Sequence, residues 1–304
     1  MFNYGKRPYT PLVRRHMSVE WHKWSNASRR KWITNGLGVN DLVELGTHQY
    51  IESSVPTKSN TVFLDLRNSR GGHITSENHG SGVSNLLREI LLLIGARYSP
   101  INVQMVILCE RIDHISELSS MPHVLDWSIN PFALNHMRKA WLNASHKLTE
   151  EAMRRRILFA RNNVPDIHEY RRKFHRNTDM ESVPDIIVAV HSVFDGLLFN
   201  SEPRLLIENM LKDSVDCGIK FIFAGMEFSK EFDFDNSFYI AMGNSRSEHI
   251  HSQTRTDIGA LVPSIPGFGL IRHKMSHDDA YIDVFRAGIT LDRDVSGLLN
   301  TLKD

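Results

Sequence analysis

Residues 77–97 read Glu77-Asn78-His79-Gly80-Ser81-Gly82-Val83-Ser84-Asn85 and then LLREILLLIGAR, a glycine–serine turn that runs straight into a strongly apolar stretch. Glycines at 80 and 82 interrupt regular structure, and the apolar run after them predicts a helix over 85–95. Its apolar side chains fall on most faces, which places that helix deep in the structure. Outward from it, short apolar runs alternate with longer helical patterns, as βαβ units require. Residues 61–66 (TVFLDL) read as a strand before the turn, and 102–109 (NVQMVILC) as one after the helix. The runs at 185–190 (DIIVAV) and 219–224 (IKFIFA) are nearly continuous, the pattern of strands buried on both faces in a parallel sheet. Helices are expected over 136–161 and 205–215, and edge or antiparallel strands over 238–242, 269–272 and 281–285. The predicted class is α/β, a mainly parallel sheet flanked by helices.

Composition bounds the function. The 304 residues, 41% hydrophobic and 23% charged, suit one large domain with an extension or two small domains, and exclude disorder for most of the chain. Lys+Arg 36 against Asp+Glu 35 leaves a net charge of +1, which does not indicate a nucleic-acid coat. Cys109 and Cys217 are too few for a disulfide framework or a four-thiolate zinc site, so a reducing cytosol is expected and both read as buried thiols. The longest strongly apolar stretch, 90–94, is far short of the roughly 20 residues a bilayer span needs, and the start of the chain lacks the apolar core of a secretory signal. The first 32 residues carry eight Lys or Arg against the single acid Glu20, with Trp21, Trp24 and Trp32 interleaved. This arm is read as laying its tryptophans on the body of the domain, with anionic lipid or nucleic acid as the alternative contact. The expected division is an extension over 1–42 and a domain over 43–304.

A phosphate-cradling loop has the form GxxxxGK[ST] between a strand and a helix: backbone amides and the helix N-terminus hold phosphate, the lysine neutralises it, and the hydroxyl holds magnesium. Gly80, Ser81, Gly82, Ser84 and Asn85 preserve that frame here, but Glu77 stands at the first glycine and Val83 at the lysine. Valine offers phosphate neither a donor nor a charge. Glu77 adds a carboxylate where phosphates would lie.

In that placement residues 63–108 resemble the FtsK/SpoIIIE-type ATPase domains, and more closely those of the EccC/EssC component of type VII secretion. Later segments agree in order: 118–124 (LSSMPHV) with the family's "LPHV", 149–170 (TEEAMRRRILFARNNVPDIHEY) with its acidic then "M-x-R-R" helix and "I-x-x-Y", and 185–198 (DIIVAVHSVFDGLL) with the strand that normally ends in Asp-Glu. CGIKFIFAGMEFS at 217–229 is similar to "GIHLLLATQRP", and IGALVPSIPGFGLI at 258–271 to "GAxxLPxxPGxGyL". The likeness covers about 43–289 and implies a RecA-like P-loop NTPase fold. It also implies which chemistry is missing. His191 and Ser192 fall at the Asp-Glu pair, Gly225 and Met226 at the polar sensor, and Val83 at the lysine.

Three departures at independent points of one site lead to the expectation of a degenerate, non-catalytic domain with no cofactor, in which ATP and magnesium bind weakly at most. The implied role is that of a scaffold, regulatory or substrate-recognition subunit of a type VII-like machine. Its expected partners are a secretion substrate or an active FtsK/EccC-type ATPase, within a homo- or hetero-oligomer, in the cytoplasm and at a membrane only through a partner. The alternatives are a divergent ATPase using His191 or Asp195, and a DNA-binding module engaging nucleic acid through the arm. Arg246 and Arg255 lie where the family places catalytic arginines, and read equally as solvated surface residues.

No catalytic residue or metal site is assigned. His273 and His277 are four apart with Asp278 and Asp279 following, but sit in a loop pattern; His249 with His251 lacks a third ligand, and His168-Glu169 lacks a second histidine. Ile265, Phe268 and Leu270, stiffened by Pro266, are a candidate apolar partner surface, with closure of the sheet edge as the competing role.

Overall fold

The computed structural model describes residues 42–48, 61–66, 69–76, 80–109, 115–125, 134–174, 180–191, 210–211, 214–225, 237–243, 266–274, 280–288 and 292–303. The N-terminal arm, most of the helix expected over 205–215, and the residues Glu77, Ser192, Asp195, Met226, Arg246, Arg255 and Ile265 lie outside them.

Among the described residues the strands are β1 Leu42–His48, β2 Thr61–Asp65, β3 Gly71–Thr75, β4 Val103–Cys109, β5 Asp185–His191, β6 Ile219–Gly225, β7 Ser237–Met242, β8 Phe268–Lys274 and β9 Ala280–Ala287. The helices are α1 Val83–Arg97, α2 Leu134–Arg161, α3 Ile167–Phe174 and α4 Asp292–Lys303. One mixed sheet runs in the order β2-β1-β9-β8-β7-β3-β6-β5-β4. From β7 to β4 every pairing is parallel, and from β7 to β2 every pairing is antiparallel.

The apolar runs of β5 and β6 are buried at all seven positions, as centre strands must be. Alternation divides their side chains between two cores. On one face Ile74, Ile107, Ala189, Ile222 and Ile240 pack against α1 and against Val295 and Leu298 of α4. On the other, Val106, Val188, Val190, Phe221 and Phe223 pack against Ala144, Leu148 and Ala152 of α2. A small third core, Phe159, Ile167, Tyr170 and Val183, seats α3 beside the entry to β5.

Two expectations need correction. The strand over 61–66 does not lead into the glycine turn; β2 pairs antiparallel with β1 at the far edge of the sheet. The strand that feeds the turn is β3, whose Gly-Gly start conceals it. Close packing demands those glycines, because a Cβ at Gly71 would collide with the Phe221 carbonyl and one at Gly72 with the Phe238 carbonyl. The strand over 238–242, read as edge or antiparallel, is internal: β7 runs parallel to β3 and antiparallel to β8, joining the two halves. Helix α4 closes the described chain and was not anticipated.

Candidate nucleotide site

Strand β3 ends at Thr75, and Gly80, Ser81 and Gly82 turn the chain into α1. Gly82 is the N-cap residue, with φ 104° and ψ 7°, a left-handed conformation that an L side chain adopts only under strain. Its carbonyl accepts the Leu86 amide at 2.8 Å, which starts the helix at Val83. The loop-to-helix frame expected from the spacing is therefore present.

Backbone and side-chain groups in that frame are tied to distant parts of the chain. The Ser81 carbonyl accepts the Gly267 amide at 3.0 Å, from the turn before β8. The Asn85 amide group donates to the Gly288 carbonyl at 2.9 Å, at the exit of β9. Ser84 Oγ lies 2.7 Å from His191 Nε2, and His191 Nδ1 lies 3.5 Å from Cys109 Sγ. The last contact follows from register: Cys109 and His191 end neighbouring parallel strands as a direct pair. Strand alternation turns both toward α1, since Ile107 and Ala189, two positions earlier, belong to the core on that face.

No charged side chain occurs in residues 80–85. Val83, at the lysine position, packs against the core under α1. The first guanidinium along the helix, Arg88, is buried and bound to Asp292 at 2.9 Å and Glu117 at 3.2 Å. Phe268 and Leu270 do not line an open groove. They are 4% and 0% exposed, packed with Ala241 and Val284, and the Arg286 guanidinium covers the Phe268 ring at 5.7 Å. Nor do they close a sheet edge, because β8 lies between β9 and β7 inside the sheet.

The remaining segments of the resemblance have structural duties. Residues 123–125 add to the free edge of β4: the Met105 amide donates to the His123 carbonyl at 2.8 Å, and the Leu125 amide to the Met105 carbonyl at 2.9 Å. His123 donates from Nε2 to the Tyr98 carbonyl at 2.6 Å, and burial lowers its pKa to about 4. In α2, Arg155 is fully buried; it donates to Glu151 and to the Cys217 carbonyl, each at 2.7 Å. Sequence reading named Val83, Ser84 and His191 but missed Cys109, Gly267 and Gly288 as members of the site. The equal alternation of β4 and β5 was the available signal for Cys109. The other two contacts are tertiary and leave none.

Comparisons with known proteins agree with this architecture. The FtsK/SpoIIIE family model matches residues 53–251. The chain is similar in structure to the cytoplasmic domain of the type VII secretion ATPase EccC of Thermomonospora curvata, with a TM-score of 0.76 at 14% identity, covering 97% of this chain and 34% of that one. Thermomonospora curvata EccC (ATPases 2 and 3) in complex with a signal sequence peptide gives 0.61 at 17% identity, over 86% of this chain and 46% of the other. The pCW3 conjugation coupling protein TcpA, monomer form with ATPγS, gives 0.61 at 18%, over 92% and 73%. The chain thus spans about a third to a half of the secretion ATPase chains it resembles. No curated protein matches it in sequence. No helix among the described residues is long and apolar enough to cross a membrane. Parallel strands with the loop strand between β6 and β7, a left-handed glycine opening α1, and the family match over most of the chain together place it in a RecA-like P-loop NTPase fold: the chain belongs to the FtsK/SpoIIIE family.

Proposed function

We propose that this chain is a catalytically degenerate FtsK/SpoIIIE domain serving a type VII-like secretion machine as a scaffold, regulatory or substrate-recognition subunit. The observation that carries the reading is the 2.7 Å contact between Ser84 Oγ and His191 Nε2. The hydroxyl that would hold magnesium in an active loop is engaged by an imidazole standing where a carboxylate would be. An imidazole brings no negative charge to a magnesium ion. Val83 brings no positive charge to a phosphate, and, half-buried, it packs against the core. The residues present therefore do not fit a magnesium nucleotide. The EccC fragment solved with a signal sequence peptide supports the recognition half of the proposal.

A second reading, residual phosphate binding in a divergent ATPase, has one observation behind it: the left-handed Gly82 at the start of a 15-residue helix is retained. That dipole contributes on the order of 1 kcal/mol, little beside a missing lysine. Calorimetric titration and a turnover assay decide. The expected result is no hydrolysis above blank in the unaltered chain and none in Val83→Lys, with binding stronger in the variant. Turnover abolished by Ser84→Ala would overturn the proposal.

A further inference from the structure

The two cysteines occupy opposite chemical settings. Cys217 is fully buried, its thiol donates to the Ala152 carbonyl at 3.5 Å, and burial raises its pKa against the opposing pull of the nearby Arg156 and Arg155. Cys109 is also largely buried, but its sulfur faces the imidazole Nδ1 of His191, while the other nitrogen of the same ring is held by Ser84. Three elements contribute: the ends of β4 and β5, in direct register, and the first turn of α1.

That order of contacts, sulfur to one ring nitrogen and a hydroxyl fixing the other, is the geometry of a thiol with a positioned proton acceptor. We propose that Cys109 is a reactive thiol, with His191 as its proton acceptor and Ser84 fixing the ring, and that it takes small hydroperoxides and small electrophiles. Only compact reagents suit it, because the residue is 4% exposed. With a hydroperoxide, the thiol proton passes to His191 and Sγ attacks the distal peroxide oxygen. An S–O bond forms as the O–O bond breaks. Sulfur loses two electrons to become a sulfenic acid, and the leaving oxide takes the proton to depart as water or an alcohol. The site stands whether or not the chain binds nucleotide. It places an oxidisable atom two hydrogen bonds from the phosphate-loop serine.

The test is timed alkylation of the native full chain with limiting iodoacetamide, read by peptide mass spectrometry with Cys217 as the internal reference. Cys109 is expected to label about tenfold faster than Cys217. His191→Gln should cut the Cys109 rate several-fold, and Ser84→Ala should lower it by less, with Cys217 unchanged in both. After hydrogen peroxide, dimedone should tag Cys109 and not Cys217. Equal labelling of the two thiols, a Cys109 rate indifferent to His191→Gln, or dimedone on neither would overturn the proposal. Should His191→Gln fail to fold, the Ser84→Ala rate and the dimedone pattern of the unaltered chain decide.

Discussion

The first turn of α1 and the C-terminal half of α2 use polar side chains in opposite ways. At the start of α1, uncharged groups reach across the fold: Ser84 to His191, Asn85 to the Gly288 carbonyl, and Gly267 to the Ser81 carbonyl. In α2 the contacts are mainly ionic, some within the helix and others to distant residues. Arg154 holds Glu151 and Glu181, Arg155 holds Glu151, and nearby Arg171 of α3 holds Asp185 at 2.7 Å and the Val183 carbonyl at 3.0 Å. Burial by itself would raise the Glu151 carboxyl, but Arg154 and Arg155 more than reverse this and hold it below its ordinary value. The arginine run of α2 is thus part of a structural clamp, whereas residues 80–85 of the candidate site carry no charged side chain. In this chain a run of arginines is a poor guide to phosphate chemistry.

Breaking the clamp should produce the largest effect. Arg155→Ala leaves Glu151 and the Cys217 carbonyl without their buried partner, and should cost about 3–5 kcal/mol of stability in urea unfolding. Arg155→Met, which fills the same space without a charge, should recover a large part of that loss. If both variants are equally damaged, filling the space recovers nothing, and the lost hydrogen bonds and charge pairing, not packing, are what matter there.

Acid should act next, through a group in neither region. The unfolded chain protonates His123 near its ordinary 6.5, whereas the folded chain does so only at about 4. Between those values protons favour the unfolded state, so the stability contribution is complete above about 6.5 and is lost as pH falls toward 4. The loss is on the order of 3 kcal/mol, and His123→Gln should flatten the dependence of the unfolding midpoint on pH over that window.

The smallest effects sharpen the comparison. Arg154 is 43% exposed on its side chain, so Arg154→Ala should cost less than about 1 kcal/mol despite three short contacts. That variant should also lose less stability at high salt than at low salt. An Arg154 change that rivals Arg155→Ala would dissolve the distinction between an exposed and a buried member of the same run.

Much of the parallel sheet was legible because β4, β5 and β6 are nearly continuous apolar runs, the pattern of strands buried on both faces. Strand β3 was not, for its residues Gly-Gly-His-Ile-Thr carry the composition of a turn; contact with neighbouring backbones and the stacking of His73 on Phe223 at 5.4 Å override that propensity. The same omission made β2 look like the strand leading into the loop. At the site, spacing identified Val83 and Ser84 and the resemblance identified His191. That Ser84 and His191 touch depends on where α1 lies over the sheet, which residues 107 apart in sequence do not disclose.

The segment docked along β4 has a consequence for how this chain meets other molecules. A sheet whose outermost strand shows unpaired amides and carbonyls is a template for further strands, from a neighbour or from an aggregate. Residues 123–125 occupy part of that template with a single parallel bridge at Val124, and Pro122 just before them has no amide to offer. Strand addition is blocked at the Met105 position, so a contact made at that point of the edge must use side chains rather than the backbone of β4. Such contacts can be made and released without unzipping backbone hydrogen bonds.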